Sequence, residues 1–224
     1  MRKKTLLAWS GGKDSAWALH VLRQDPTVEL AGIFTTVEED SGRIAVHRVP
    51  AAVLVQQARC AGLELRTIAL PQPCPNARYE SAIAAFLEVA KREGVTQVAF
   101  GDLFLEDIRR YRERQFAGTG VGLAFPLWGR ATRALAEEMT AEGLRAWIVC
   151  ADTRRAPAEW AGRAFDPAFL RKLPPDVDPC GENGEFHTFV FAGPMLERPV
   201  RAHPGARREH AGFAYCDLVA EASP

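Results

Sequence analysis

The sequence has no surplus of either charge, no closely spaced cysteine pair and no long apolar run, and each lack excludes a class of function. Its 28 Lys+Arg are matched by 28 Asp+Glu. A chain with no net charge has no electrostatic preference for a polyanion, so nucleic acid is not an expected partner. The five cysteines, Cys60, Cys74, Cys150, Cys180 and Cys216, are odd in number and widely spaced, with no CxxC pair. That pattern fits a reducing compartment and argues against zinc or iron–sulfur ligation. The N-terminus opens like a signal peptide, but the apolar run from Leu6 is cut at Ser10-Gly-Gly-Lys-Asp14. It is too short to target or span a membrane, and the reading is a cytoplasmic protein with no membrane partner. Lysine is also scarce, with Lys3, Lys4, Lys13, Lys91 and Lys172 set against 23 arginines, a skew of codon usage more than of function. There is no internal repeat and no low-complexity block. What remains is an ordinary globular composition, 47% hydrophobic and 25% charged over 224 residues. It suits one large domain, or a domain with a small annex, long enough to bury a core without staples.

Strand-length apolar runs alternate with helix-period stretches from the start. Leu6 to Trp9, a helix from about Asp14 to Arg23, and Leu30 to Val37 make a βαβ unit. The rhythm continues with a helix at 51–61 closed by Gly62, a strand at 63–70, and a helix at 77–93 in which Ile83, Phe86, Leu87 and Ala90 share one face. A strand at 95–100, a helical stretch at 106–116, a strand at 123–127, a helix at 131–142 and a strand at 146–150 follow. These pieces predict an α/β fold, a doubly wound parallel sheet of Rossmann-like type. The expected division is an α/β domain over 1–150 and a smaller subdomain and tail over 151–224. Five prolines between 151 and 182 favour turns there, a last strand is expected at 186–191, and the tail beyond Pro199 reads as loosely structured.

Ser10-Gly11-Gly12-Lys13-Asp14-Ser15 falls where the first strand ends and the first helix begins, the place at which an open parallel sheet presents its ligand crevice. Glycines let the backbone approach an anion, and the helix start offers unpaired N–H groups and a positive dipole end. Ser10 and Ser15 add hydroxyls and Lys13 adds a charge. Asp14 is a candidate helix cap or magnesium ligand. The string lacks the Gly-Lys-Ser/Thr of a Walker A loop.

This segment resembles the PP-loop, SGGxDS, of ATP pyrophosphatases. Three further segments narrow the resemblance: Asp178-Pro-Cys-Gly-Glu-Asn-Gly-Glu-Phe-His-Thr-Phe-Val190, the stretch from Phe100 to Glu113, and Pro126-Leu-Trp-Gly129. Together they are similar to the diphthamide synthase family of diphthine–ammonia ligases, over about Thr5 to Val200. His187 stands where those ligases carry Glu, which looks like the bacterial branch of the family. The resemblance implies an adenine nucleotide alpha-hydrolase-like fold and a loop that grips pyrophosphate while a substrate oxygen attacks the α-phosphorus. It implies ATP and magnesium as cofactors, with a carboxylate-bearing acceptor and ammonia as partners. A homodimer is left open.

The candidate residues form two groups. Ser10, Gly11, Gly12, Lys13, Asp14, Ser15 and Asp102 are expected at the nucleotide, with Asp14 and Asp102 as metal ligands and Lys13 and Asp14 catalytic. Glu182, Glu185 and His187 lie within six residues on a glycine-hinged turn entering a strand. Alternation there puts Glu185 and His187 on one face, suited to recognising the acceptor or an amine, with His187 able to carry a proton at neutral pH. Glu185 and His187 are therefore also expected as catalytic residues. Glu106 and Arg109 are expected at the substrate, although Arg109 and Glu113, one helical turn apart, read equally as a surface ion pair. His47 is as readily structural as functional. Trp160 and Gly162-Arg163 echo a family WxGR segment expected to close the site, and Cys180 reads as packing. The expected activity is an amide-forming ligase that adenylates a carboxylate and transfers ammonia. The alternatives are a nucleotide-binding sensor or regulatory module, or an ATP-to-AMP hydrolase that forms no amide.

Overall fold

The computed structural model describes residues 1–44 and 49–221, so His47 lies outside the described residues. The strands β1 (Lys3–Ala8), β2 (Val28–Glu38), β3 (Leu65–Leu70), β4 (Gln97–Ala99) and β5 (Gly122–Ala124) form a sheet in the order β3-β2-β1-β4-β5. Every pairing in it is parallel. The α/β, Rossmann-like class expected from the alternation is the one observed. The crossover helices are α1 (Lys13–Gln24), α2 (Ala51–Cys60), α3 (Asn76–Arg92) and α4 (Glu106–Phe116), and α5 (Thr132–Ala141) leads out of this sheet. Pleating sends the side chains of β1 to both faces. Leu6 packs with Ile83 and Leu87 of α3 and Phe116 of α4, whereas Leu7 and Trp9 pack with Trp17 and Leu19 of α1 and Leu54 of α2.

Two expectations are corrected. The strand at 146–150 does not extend the parallel sheet. As β6 (Arg145–Asp152) it is the centre of a second sheet with β7 (Ala164–Phe165), β8 (Phe186–Ala192), β9 (Ala202–His210) and β10 (Phe213–Ala220). It pairs antiparallel with β7, β8 and β10. A run such as Ala146-Trp-Ile-Val-Cys-Ala151 marks a strand buried on both faces, but not the sheet it joins. The tail is ordered as well. β9 and β10 form a hairpin closed by Ala211 and Gly212, both at positive φ (50° and 80°), the backbone a two-residue hairpin turn needs. In β10 Ala214, Cys216 and Leu218 are buried at every second position, while β9 is mostly exposed. A half-buried strand beside a polar edge strand carries little apolar signal. The remaining helix, α6 (Pro167–Arg171), is capped by Asp166, which accepts from Phe169 N.

The strand order reverses between β1 and β4, each of which has a different neighbour on its other side. Loops leaving two such strands diverge and open a crevice at their carboxyl ends. The Ser10–Ser15 loop leaves β1 there, and Gly101-Asp102 leaves β4. No described helix is long and apolar enough to cross a membrane.

Candidate active site

The Ser10–Ser15 loop is fixed from three sides. Ser10 Oγ accepts from Gly12 N (3.2 Å) and lies 3.1 Å from Ser15 Oγ, which donates to Gly12 O (3.0 Å). The second sheet supplies Val190 N to Gly11 O (2.9 Å) and Thr188 Oγ1 as acceptor for Lys13 N (3.0 Å). From α2, Gln57 donates to Gly11 O (3.0 Å) and Val190 O (2.6 Å), and accepts from Trp9 Nε1 (2.8 Å). A fully buried amide is held by three partners, as burial of so polar a group requires. Gly11 sits at φ +78°, and a Cβ there would meet Gln57 Oε1 at 2.8 Å and Leu54 at 2.9 Å. Gln57 and Thr188 were not expected from the sequence. A glutamine inside an amphipathic helix and a threonine in a strand carry no signal of their own.

Lys13 is buried and donates to both oxygens of Asp14 (2.9 and 2.8 Å). Its ammonium lies 5.8 Å from the Phe186 ring centre and 6.0 Å from that of Phe165. Burial lowers its pKa, but Asp14, Cys180 and Glu182 outweigh that, and the net shift is upward, so Lys13 stays charged. Burial raises the Asp14 carboxyl against the pull of Lys13.

Two cavities meet at this loop. The larger, about 360 Å³, is lined by Trp9, Phe34, Thr35, Thr36, Tyr79 and Phe100 together with Ser10, Asp14, Ser15, Asp102, Arg112 and Glu182. The smaller, about 170 Å³, is lined by Gly12, Lys13, Cys180, Glu182, His187 and Thr188 among others. Ser10, Asp14 and Glu182 belong to both walls.

The acidic turn after residue 178 divides by role. Glu182 and His187 line the smaller cavity. Glu185 lines neither cavity, which corrects the expectation that it shares a face with His187. It is 3% exposed, and its carboxylate accepts from Asp178 N (3.0 Å), Asn183 N (3.0 Å) and Asn183 Nδ2 (3.1 Å). It shapes the turn from inside. Asp178, which the sequence did not single out, does the same, accepting from Thr132 Oγ1 (2.6 Å), Cys180 N (2.9 Å) and Glu182 N (3.2 Å). Cys180 is buried, and burial pushes its thiol up, in keeping with packing.

Burial, with Lys13 nearby, lowers His187 to about 4. The imidazole is neutral at neutral pH, contrary to the expectation that it carries a proton there. Burial, then Asp14, and further Asp178 and Asp102 push Glu182 up to about 8, against the pull of Lys13. Its unfolded value is near 4.5, so the folded state binds the extra proton between those pH values. The stability this contributes is present below the unfolded value and is lost as pH rises through about 8. Glu182→Gln should therefore melt close to wild type at pH 5 and several degrees above it at pH 9. A gap independent of pH, read by thermal scans, would contradict that.

The remaining expected residues lie apart. Glu106 pairs with Arg110 and Arg109 with Glu113 on exposed turns of α4, and neither Glu106 nor Arg109 lines either of these two cavities. Arg109 also lies over Trp128, 4.6 Å from the ring centre. Trp160 packs against Phe169 and Phe186 behind the smaller cavity without lining it. Asp102 reaches the larger cavity, but its two oxygens accept from Arg112 (2.5 and 3.3 Å). The described residues contain no group of three His, Cys, Asp or Glu side chains able to hold a metal ion. Magnesium carried by a nucleotide needs only one or two protein carboxylates, and Asp14, on the wall between the cavities, fits that lesser demand.

Among protein families, residues 131–221 match the diphthamide synthase C-terminal domain. No curated protein matches the chain. The matched segment runs from the start of α5 to the end of the second sheet and includes the turn that carries Glu182 and His187. Over residues 131–221 the chain is thus similar to the diphthamide synthase C-terminal domain.

Proposed function

We propose that the protein is a MgATP-dependent ligase that adenylates a substrate carboxylate and passes the acyl group to ammonia. One observation carries the reading: the Ser10–Ser15 loop separates two adjoining cavities that share Ser10, Asp14 and Glu182. The larger, lined by aromatic rings and threonines, suits a nucleoside. The smaller, which holds Lys13, suits the leaving pyrophosphate and the reacting carboxyl group.

In the first step an acceptor carboxylate oxygen attacks the α-phosphorus. The bond to the bridging oxygen breaks, and pyrophosphate leaves with its magnesium. Lys13 faces the charge that builds on the leaving group, and its ion pair with Asp14 keeps it protonated and in place. In the second step ammonia attacks the acyl carbon and AMP departs with its oxygen. The nitrogen must then lose a proton. Glu182, raised to about 8, is the acceptor in its ionised form, so amide formation should rise with pH through that value. His187 remains a neutral hydrogen-bonding group beside it. With His187 in place of the Glu of diphthine–ammonia ligases, the acceptor is taken only as a carboxylate-bearing molecule.

The test is oxygen transfer. A carboxylic acid labelled with ¹⁸O that supports turnover should leave one label in AMP, measured by mass spectrometry. Label absent from AMP during acid-dependent turnover would rule out adenylation.

A further inference from the structure

The larger cavity has an unbalanced lining. Asp14, Asp102 and Glu182 contribute three carboxyl groups, and among the described residues that line it Arg112 is the only cation. Arg112 comes from α4 and is held on two sides. Nε and Nη2 donate to Oδ2 and Oδ1 of Asp102, and the guanidinium carbon lies 3.9 Å from the centre of the Phe100 ring. Both contacts fix the plane of the group. Its side chain is 20% exposed, and Nη1 makes no hydrogen bond among the described residues. An arginine whose plane is fixed by a carboxylate and a ring, and which keeps donors toward a cavity, is pre-organised for an oxyanion.

We infer that Arg112 binds the α-phosphate of the nucleotide, and that Asp102 positions Arg112 instead of ligating a metal. The inference rests on reading the larger cavity as the nucleotide site. A nucleoside lodged among Phe34, Tyr79 and Phe100 must pass its phosphates toward Ser10 and Ser15, along a wall that includes Arg112. Without Arg112 the Asp102 carboxylate would face the α-phosphate unpaired, whereas Asp14 is already paired with Lys13.

The experiment compares the binding of adenosine, AMP and MgATP by calorimetry in wild type, Arg112→Met, Arg112→Lys and Asp102→Asn. Arg112→Met keeps much of the stem, and Arg112→Lys keeps a charge, which guards against a variant that only misfolds. The expected result is that Arg112→Met weakens AMP and MgATP at least tenfold and leaves adenosine within twofold. Arg112→Lys should recover part of the loss, and Asp102→Asn should weaken AMP a few-fold without abolishing the effect of magnesium on MgATP binding. Equal losses for adenosine and AMP in Arg112→Met would assign Arg112 to the shape of the cavity and overturn the inference, as would undiminished AMP binding. Loss of the magnesium effect in Asp102→Asn would return Asp102 to the metal. A wild-type protein that binds none of the three ligands would refute the nucleotide reading, and the role of Arg112 with it.

Discussion

Gly101→Val should unfold at a clearly lower urea concentration than wild type, with a loss of about 3 kcal/mol, the upper range for forcing atoms into a packed site. A Cβ on residue 101 would lie 2.9 Å from both the carbonyl carbon and oxygen of Asp14, and 3.0 Å from Ser15 N. These are backbone atoms in the first turn of α1, so no side chain can swing away to make room. The loop leaving β4 and the helix leaving β1 touch here, at the reversal of strand order. If the helix start shifts, the Ser10–Ser15 loop shifts with it. ATP affinity measured by calorimetry should therefore fall at least about tenfold in any Gly101→Val protein that folds. Wild-type stability together with wild-type affinity would mean that this contact does not position the loop.

Lys13→Met should be damaging twice, and the two effects separate. Removing the ammonium leaves Asp14, whose side chain is 26% exposed, without its partner. Breaking one side of a buried ion pair costs about 3–5 kcal/mol. The double variant Lys13→Met/Asp14→Asn should recover most of that stability, because no unpaired charge remains. Turnover should not recover, since a positive charge beside a departing pyrophosphate contributes on the order of 10² to 10³ in rate. Denaturation curves and rates of AMP formation on all three variants check both parts. Activity restored in the double variant would show that Lys13 acts only through the fold.

The parallel sheet was legible because its strands and helices follow two distinct periods. The boundaries of α1, α2, α3 and α5 shift by at most one residue from expectation, and α4 runs from 106 to 116 as expected. The second sheet was not legible as a sheet. Strand partners are chosen by tertiary packing, and neither the apolar run of β6 nor the polar edge strand β9 states its neighbour. At the site, the glycine-rich loop was readable because its position between strand and helix has few other uses. The turn at 178–187 was only half readable. Alternation put Glu185 with His187, but alternation holds within a strand, and β8 starts at Phe186. Before that point the chain folds around Asp178 and Glu185, and Glu185 is drawn inward to satisfy backbone N–H groups. Gln57 and Arg112 escaped notice for a different reason. Each acts through partners far away in sequence, Gln57 through Gly11 and Val190, Arg112 through Asp102 and Phe100.

The most direct test of the central claim follows the phosphorus of MgATP by ³¹P NMR, in the presence of the protein, ammonium and a panel of carboxylic acids that includes a diphthine peptide and corrinoid acids. AMP and pyrophosphate should appear together, in equal amounts, only when ammonium and one accepted acid are both present. ADP and inorganic phosphate as products would contradict it, as would AMP formed at the same rate without any acid.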